Sequence, residues 1–283
     1  MDHYCVLGNP VSHSKSPQIH ARFAELSGQA MDYTAQHVAL DAFAETVEAM
    51  PAQGFRGCNV TVPFKLEAFQ LAAQRSARAE LAEAANTLVF GAGGVLADNT
   101  DGAGLVHDIE VNLGLKLAGL DILLVGAGGA AAGVLGPLLL AGPKRLVMSN
   151  RTHDKAQAIV NRHLAHPSLQ TVLRSSDLSA CEQHQLTGHF DVVINATAAS
   201  LGGSGVPLPD GVLKHGALAY DLMYGPAAQG FMDWATARGA QARDGLGMLV
   251  EQAAEAFLVW RGVRPPSAQV LQEMRTATQG STP

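Results

Sequence analysis

Lysine is scarce in this chain: six residues against thirteen arginines, in a sequence of 283. Charge of either sign is sparse at 16%, and the balance is acidic, with a formal net charge of -6. That balance excludes a broad nucleic-acid surface, because phosphate binding needs clustered cations. Cysteine is rarer still. Cys5, Cys58 and Cys181 are odd in number, far apart and without a C-x-x-C pair, which excludes a disulfide framework and fits a reducing compartment. None of the eleven histidines stands in an H-E-x-x-H or similar spacing, so no catalytic metal is expected. There is no G-x-S-x-G nucleophile elbow either. The opening, Met1 to Pro10, carries Asp2 and His3 and has no signal-peptide pattern, so the cytoplasm is the expected location.

What is present forms a core. Hydrophobic residues make up 47%, and the length favours two domains over one. Between Asp121 and Lys144 lie 22 uncharged residues, long enough to suggest a membrane span. Gly126, Gly128, Gly129, Gly133, Gly136 and Pro137 interrupt that run. A buried strand, a glycine turn and a small-residue helix explain it better, and no membrane association is expected.

Along the chain, strand and helix signals alternate, which favours an α/β fold. Strands are expected at residues 4–7, 57–63 and 84–90, with helical spacing through Ile19, Phe23 and Leu26 and again over 42–50. Ser16-Pro17 suits a helix start. A second series of strands is expected at 120–125, 145–149, 190–195 and 217–222, before a helical tail over 247–261. The boundary between the two blocks falls near Asp101–Gly104.

Gly126-Ala127-Gly128-Gly129-Ala130-Ala131 follows an apolar strand and opens a helix-like run. This is the dinucleotide fingerprint G-x-G-x-x-G with Ala131 in its last place. Gly126 permits the tight turn, Gly128 lets backbone N–H groups approach a pyrophosphate, and Ala131 allows close helix–strand packing. Where an NAD site places an acid at the next strand end, this chain has Asn150-Arg151-Thr152 with Lys155 beyond. A guanidinium fork there suits a phosphate, so NADP is the expected cofactor. An ordinary solvated surface is the alternative for Arg151 and Lys155.

Lys65 stands among apolar neighbours in Asn59-Val60-Thr61-Val62-Pro63-Phe64-Lys65, where partial desolvation suits acid–base work. Asp101 ends the polar cluster Asp98-Asn99-Thr100-Asp101. Two readings stand for this pair: an acid holding a proton-transferring amine, or a snorkelling lysine and a helix N-cap. Ser14 and Ser16, near a helix start, either bind a carboxylate or cap the helix.

Taken in order, these pieces resemble one family. Residues 8–17 (Gly-Asn-Pro-Val-Ser-His-Ser-Lys-Ser-Pro), 57–65, Ala85-Asn86-Thr87 and 98–102 are similar to the motifs of shikimate dehydrogenases. So are the glycine turn, Asn150-Arg151-Thr152, Asn195-Ala196-Thr197, Tyr220-Asp221 with Tyr224, and residues 244–249 with Gln252. The resemblance runs from about residue 4 to residue 264.

It implies an N-terminal α/β substrate domain (1–101), a Rossmann-type doubly wound NADP domain (102–240), and a C-terminal helical segment (241–283) returning to the first, with the chemistry in the cleft between domains. It implies reversible NADPH-dependent reduction of 3-dehydroshikimate to shikimate, by a monomer or a homodimer. Lys65 would transfer the proton, paired with Asp101. Ser14 and Ser16 would bind the substrate carboxylate with Tyr224 nearby, while Asn59, Thr61, Asn86 and Gln252 would read ring hydroxyls or position catalytic groups. Gly126, Ala127, Gly128, Gly129 and Ala130 would hold the pyrophosphate. Asn150, Arg151, Thr152 and Lys155 would surround the adenosine phosphate, and Leu222, Gly245 and Met248 would border the nicotinamide. One departure is Gln229-Gly230-Phe231 where the family commonly has Thr-Pro-Phe, which loosens that helix start. The rivals are a quinate/shikimate dehydrogenase with relaxed cofactor use and a non-catalytic NADPH-binding sensor.

Overall fold

The computed structural model describes residues 1–197 and 208–279. The chain divides into two units, one formed by Met1–Leu105 with the chain from Leu249 onward, the other by Val106–Met248. In the first unit, β1 (Asp2–Gly8), β2 (Met31–His37), β3 (Phe55–Val60), β4 (Gln74–Arg75), β5 (Thr87–Gly91) and β6 (Gly94–Asp98) form one sheet. Its strand order is β2-β1-β3-β5-β6-β4. β1 runs parallel to β2 and β3, whereas β3/β5 and β5/β6 are antiparallel. β1 is buried from Tyr4 to Gly8, as a central strand covered on both faces must be. Part of its cover is a cluster in which Phe43 stacks on Phe64 beside Leu7, Val47 and Leu88.

Helix Ser16–Ser27 carries Pro17 in its first turn and stops at Gly28, whose φ of +62° is a left-handed cap. Its His20 and Phe23 meet Phe257 of helix Leu246–Arg261, and His20 also meets Trp260. The expected strand over 57–63 ends at Val60, because Phe64 N–H bonds back to Thr61 O and turns the chain. That turn delivers Lys65 to the start of helix Lys65–Leu71. The expected strand over 84–90 begins only at Thr87, and β2 and β4, polar and short of apolar alternation, carry no strand signal in the sequence.

In the second unit, β7 (Asp121–Val125), β8 (Arg145–Asn150), β9 (Asp177–Glu182), β10 (Phe190–Asn195), β11 (Leu213–Asp221) and β12 (Gln241–Arg243) pair in the order β12-β11-β10-β7-β8-β9. Every pairing is parallel. Counted within the unit this is the doubly wound Rossmann order, with its switch point between the first and fourth strands, β7 and β10. The long uncharged run resolves into β7, the glycine turn and the 12-residue helix Gly129–Leu140. Among the described residues no helix is long and apolar enough to cross a membrane.

The division between units differs from the expected limits of 101, 240 and 241. β12 pairs with β11, so the second unit extends to Met248. At the other limit, Gly104 lies against the backbone of Gln252, which keeps the start of helix Asp101–His107 with the first unit. The helix after Tyr224 starts at Gln229 despite its Gln-Gly opening, following a tight turn over Gly225–Ala228.

Candidate active site

The first unit gathers four of the expected residues. Lys65 Nζ lies 2.5 Å from Asp101 Oδ2, with the two side chains only 19% and 7% exposed. The Asn86 amide donates to Asp101 Oδ1 at 2.8 Å and lies 3.2 Å from Gln252 Oε1. Asp101 does not cap its helix with its own side chain. Instead its backbone N–H is capped by the Asn99 side-chain oxygen at 3.2 Å, which frees the Asp101 carboxylate for Lys65. A primary ammonium, held by one carboxylate oxygen, keeps further N–H donors for a ligand. That arrangement can give a proton to an oxygen and take it back.

The remaining expected substrate residues are placed differently. Asn59 is buried and fully engaged: its carbonyl accepts from Tyr33 OH at 2.7 Å, and its amide donates to Asn86 O and Thr87 Oγ1, both at 3.0 Å. It therefore stands one step behind Asn86. Thr61 is half-buried at the turn before Lys65, and its methyl covers the spot where a side chain on Gly8 would lie. Ser14 is half-buried and accepts from the Ser16 N–H at 3.2 Å, while Ser16 is buried beside the Tyr33 phenol. Tyr224 belongs to the second unit, half-buried, with burial pushing its phenol up. Tyr33, Thr87 and Thr100 carry no role in the sequence reading, although all three hydrogen-bond within this cluster. Thr87 and Thr100 were visible as neighbours of Asn86 and Asp101. Nothing in the local sequence singles out Tyr33.

The second unit builds the dinucleotide cradle at its switch point. Gly126 directly follows β7 with a φ of +114°, and a Cβ there would come within 3.0 Å of Ala196 O, beyond β10. Glycine is required at that position on both counts. Gly128 and Gly129 are exposed, and a Cβ on either would meet nothing within 4 Å. Helix Gly129–Leu140 starts there without a side-chain cap, so its first N–H groups have no capping side chain among the described residues. Ala127 and Ala130 are half-buried beside them, and Ala131 is fully buried against the sheet. A pyrophosphate fits this donor set, since the helix terminus supplies unpaired N–H groups and about half a positive charge.

At the end of β8, Asn150 donates to Thr152 O at 2.9 Å and shapes the turn, while Arg151, Thr152 and Lys155 project as exposed side chains. Two cations on an exposed turn suit a phosphomonoester. On the other side of the switch point, Leu222 N–H bonds Asn195 O at 2.9 Å, and Gly245 N–H bonds Met223 O at 2.8 Å. Any side chain on Gly245 would strike the Leu222 carbonyl. Met248 N–H donates to the buried Tyr220 hydroxyl at 3.0 Å, and that hydroxyl donates to Asp108 at 2.7 Å. Leu222, Gly245 and Met248 are thus held by one set of backbone and phenol contacts.

Three family models match the chain: the shikimate dehydrogenase substrate binding domain over residues 6–88, the shikimate / quinate 5-dehydrogenase domain over 109–202, and the shikimate 5'-dehydrogenase C-terminal domain over 245–275. A shikimate dehydrogenase (NADP(+)) from Acidovorax sp. is 62% identical over 98% of this chain and 96% of its own length. The chain belongs to the shikimate dehydrogenase family. A second such relative, from Verminephrobacter eiseniae, is 59% identical over 98% of this chain and 95% of its own. Among solved structures, a shikimate 5-dehydrogenase from Thermus thermophilus in complex with NADP(H) and shikimate superposes with a TM-score of 0.83 at 30% identity, covering 98% of this chain and 100% of that one. The two units described above are the structural counterparts of the family's substrate and Rossmann-type domains.

Proposed function

We propose that this chain is a shikimate dehydrogenase: it catalyses the reversible NADPH-dependent reduction of 3-dehydroshikimate to shikimate. The observation that carries the catalytic assignment is the 2.5 Å contact between Lys65 Nζ and Asp101 Oδ2, with Asn86 on the other carboxylate oxygen. NADPH supplies the hydride when bound. Lys65 supplies the proton. In reduction its ammonium donates to the oxygen that develops negative charge, and in oxidation the neutral amine takes the proton from the hydroxyl; such a transfer contributes about 10²–10⁴-fold in rate. Asp101 orients the amine through one carboxylate oxygen. Ser14 and Ser16 receive the substrate carboxylate, with Tyr224 as a further contact. Thr61, Asn86 and Gln252 face ring hydroxyls, while Asn59 acts through Asn86.

Gly126 to Ala130 hold the pyrophosphate, Asn150, Arg151, Thr152 and Lys155 the adenosine phosphate, and Leu222, Gly245 and Met248 the nicotinamide. Arg151 and Lys155, exposed at the end of β8, support NADP over NAD. The odd set of free thiols, Cys5, Cys58 and Cys181, supports a reducing compartment, the cytoplasm.

The test follows NADPH absorbance with 3-dehydroshikimate, repeats it with NADH, and then replaces shikimate with quinate in the oxidative direction. Rapid NADPH-specific turnover is expected. Absence of turnover with either cofactor would favour a binding sensor, and comparable rates with quinate a quinate/shikimate dehydrogenase. Lys65→Ala should abolish nearly all turnover while NADPH still binds; normal turnover would end the proton-transfer assignment.

A further inference from the structure

Behind the Lys65–Asp101 pair lies a chain of buried hydrogen bonds that runs back to Tyr33, beside Ser16. Tyr33 OH donates to Asn59 Oδ1 at 2.7 Å, Asn59 Nδ2 to Thr87 Oγ1 at 3.0 Å, Thr87 Oγ1 to Asn86 Oδ1 at 2.9 Å, and Asn86 Nδ2 to Asp101 Oδ1 at 2.8 Å. Thr87 is fully buried, and Tyr33, Asn59 and Asn86 are nearly so. Four residues from three strands and one strand entrance thus lead to a single carboxylate.

The direction of this chain is fixed by backbone groups that cannot reverse. Asn59 Nδ2 also faces Asn86 O at 3.0 Å, a carbonyl that only accepts, so the other edge of the Asn59 amide must accept from Tyr33. Asn86 Oδ1 faces the Thr100 N–H at 2.9 Å, a group that only donates, so the Asn86 NH₂ must face Asp101. Thr87 joins the two amides. It accepts from Asn59, and its one proton goes to Asn86 Oδ1 at 2.9 Å, which can only accept, in preference to the Thr100 hydroxyl at 3.5 Å. A flipped Asn86 would set two acceptors against each other, its own oxygen and Asp101 Oδ1. The Tyr33 ring, in turn, stacks on His20 at 4.1 Å with 7° between planes, and burial pushes its phenol well above the usual range, so it remains a donor at working pH.

We propose that Tyr33, Asn59 and Thr87 are positioning residues: with the direction of the Asn86 amide set by the Thr100 N–H, this one-way relay fixes where that amide sits, with its donor edge on Asp101, and so keeps the other carboxylate oxygen on Lys65. The relay rests on the catalytic reading of Lys65 and Asp101. It assigns to Thr87 the central part, because its hydroxyl accepts from one amide and donates to the next, which no apolar side chain can do.

Thr87 also offers a clean test, since its shape and its hydroxyl can be removed separately. Thr87→Val keeps the branched shape and deletes the hydroxyl; Thr87→Ser keeps the hydroxyl and deletes the methyl. The relay predicts that Thr87→Val lowers kcat for 3-dehydroshikimate reduction about ten- to a hundredfold with KM changed far less, a cost typical of small misplacements of catalytic groups. Thr87→Ser should retain kcat within about threefold. A role in packing alone predicts the opposite order, with valine active and serine impaired, and that order would overturn the proposal. Tyr33→Phe is the second variant: it should lower kcat in the same direction by a smaller factor, and an unchanged kcat in both Tyr33→Phe and Thr87→Val would also overturn it. Thermal midpoints of all three variants identify any loss that comes from unfolding. If Lys65→Ala retains turnover, the catalytic reading fails whatever these variants do; if it is inactive while Thr87→Val matches the parent, the relay alone fails.

Discussion

Gly104 rests directly against the backbone N and Cα of Gln252, with no room for a β-carbon between helix Asp101–His107 and helix Leu246–Arg261. The glycine is required here for close approach. The contact holds Gln252 Oε1 near Asn86 Nδ2, three residues downstream of the point where the chain re-enters the first unit. Gly104→Ala should therefore force the helices apart and withdraw Gln252 from Asn86. The expected result is a raised KM for shikimate together with a stability loss of about 1–3 kcal/mol, the usual cost of overpacking. Steady-state kinetics and denaturant unfolding check it, and a variant with parental KM would show that Gln252 does not depend on this contact.

Asp101 faces Lys65 with one oxygen and Asn86 with the other. Asp101→Asn preserves the shape but puts an uncharged group, with a donor edge, where the ammonium needs an acceptor. The amine then lies in a largely enclosed site without its counter-ion. A fall in kcat of about 10²–10⁴-fold is expected, with NADPH binding measured by fluorescence titration unchanged. Parental turnover would mean that Asp101 is structural only.

The sequence carries much of this chemistry but little of its support. The glycine turn was legible because Gly126 must adopt positive φ and Gly128 must leave its backbone open, requirements written into residue type. Lys65 and Asp101 were legible as candidates, yet their meeting was not, since 36 positions separate them and either one alone reads as an end-of-element residue. Tyr33 was invisible: its partner Asn59 is brought near by the pairing of β1 with both β2 and β3, a long-range event with no local signature. β12 was missed for a related reason, because three residues, Gln241–Arg243, are too few to show a period and become a strand only on the edge of β11.

Arg151 stands exposed at the end of β8, in the position where an acid would read a ribose hydroxyl in an NAD enzyme. Arg151→Ala removes a guanidinium from the expected 2′-phosphate. A charge-assisted hydrogen bond contributes about 1.5–3 kcal/mol, so kcat/KM with NADPH should fall about ten- to a hundredfold while that with NADH stays near its original value. Equal losses with the two cofactors would contradict the phosphate role.

His20 gives the first unit a built-in sensitivity to acid. Its ring is fully buried between Tyr33, Phe23, Phe257 and Trp260, and burial, only partly opposed by the nearby Asn59 side chain, lowers its pKa from 6.5 to about 3. In the unfolded chain the same imidazole titrates near 6.5. Between these values the unfolded state binds a proton that the folded state refuses, so stability rises with pH across the window. The contribution is complete above pH 6.5 and is lost as pH falls toward 3, at a limiting slope of about 1.4 kcal/mol per pH unit. His20→Phe keeps an aromatic ring against Tyr33 and has nothing to titrate. Its unfolding free energy, followed through Trp260 fluorescence in a Trp234→Phe background, should depend less on pH between 6.5 and 4 than that of the parent. Parallel curves for the two proteins would mean that water reaches the imidazole and that it is protonated in place.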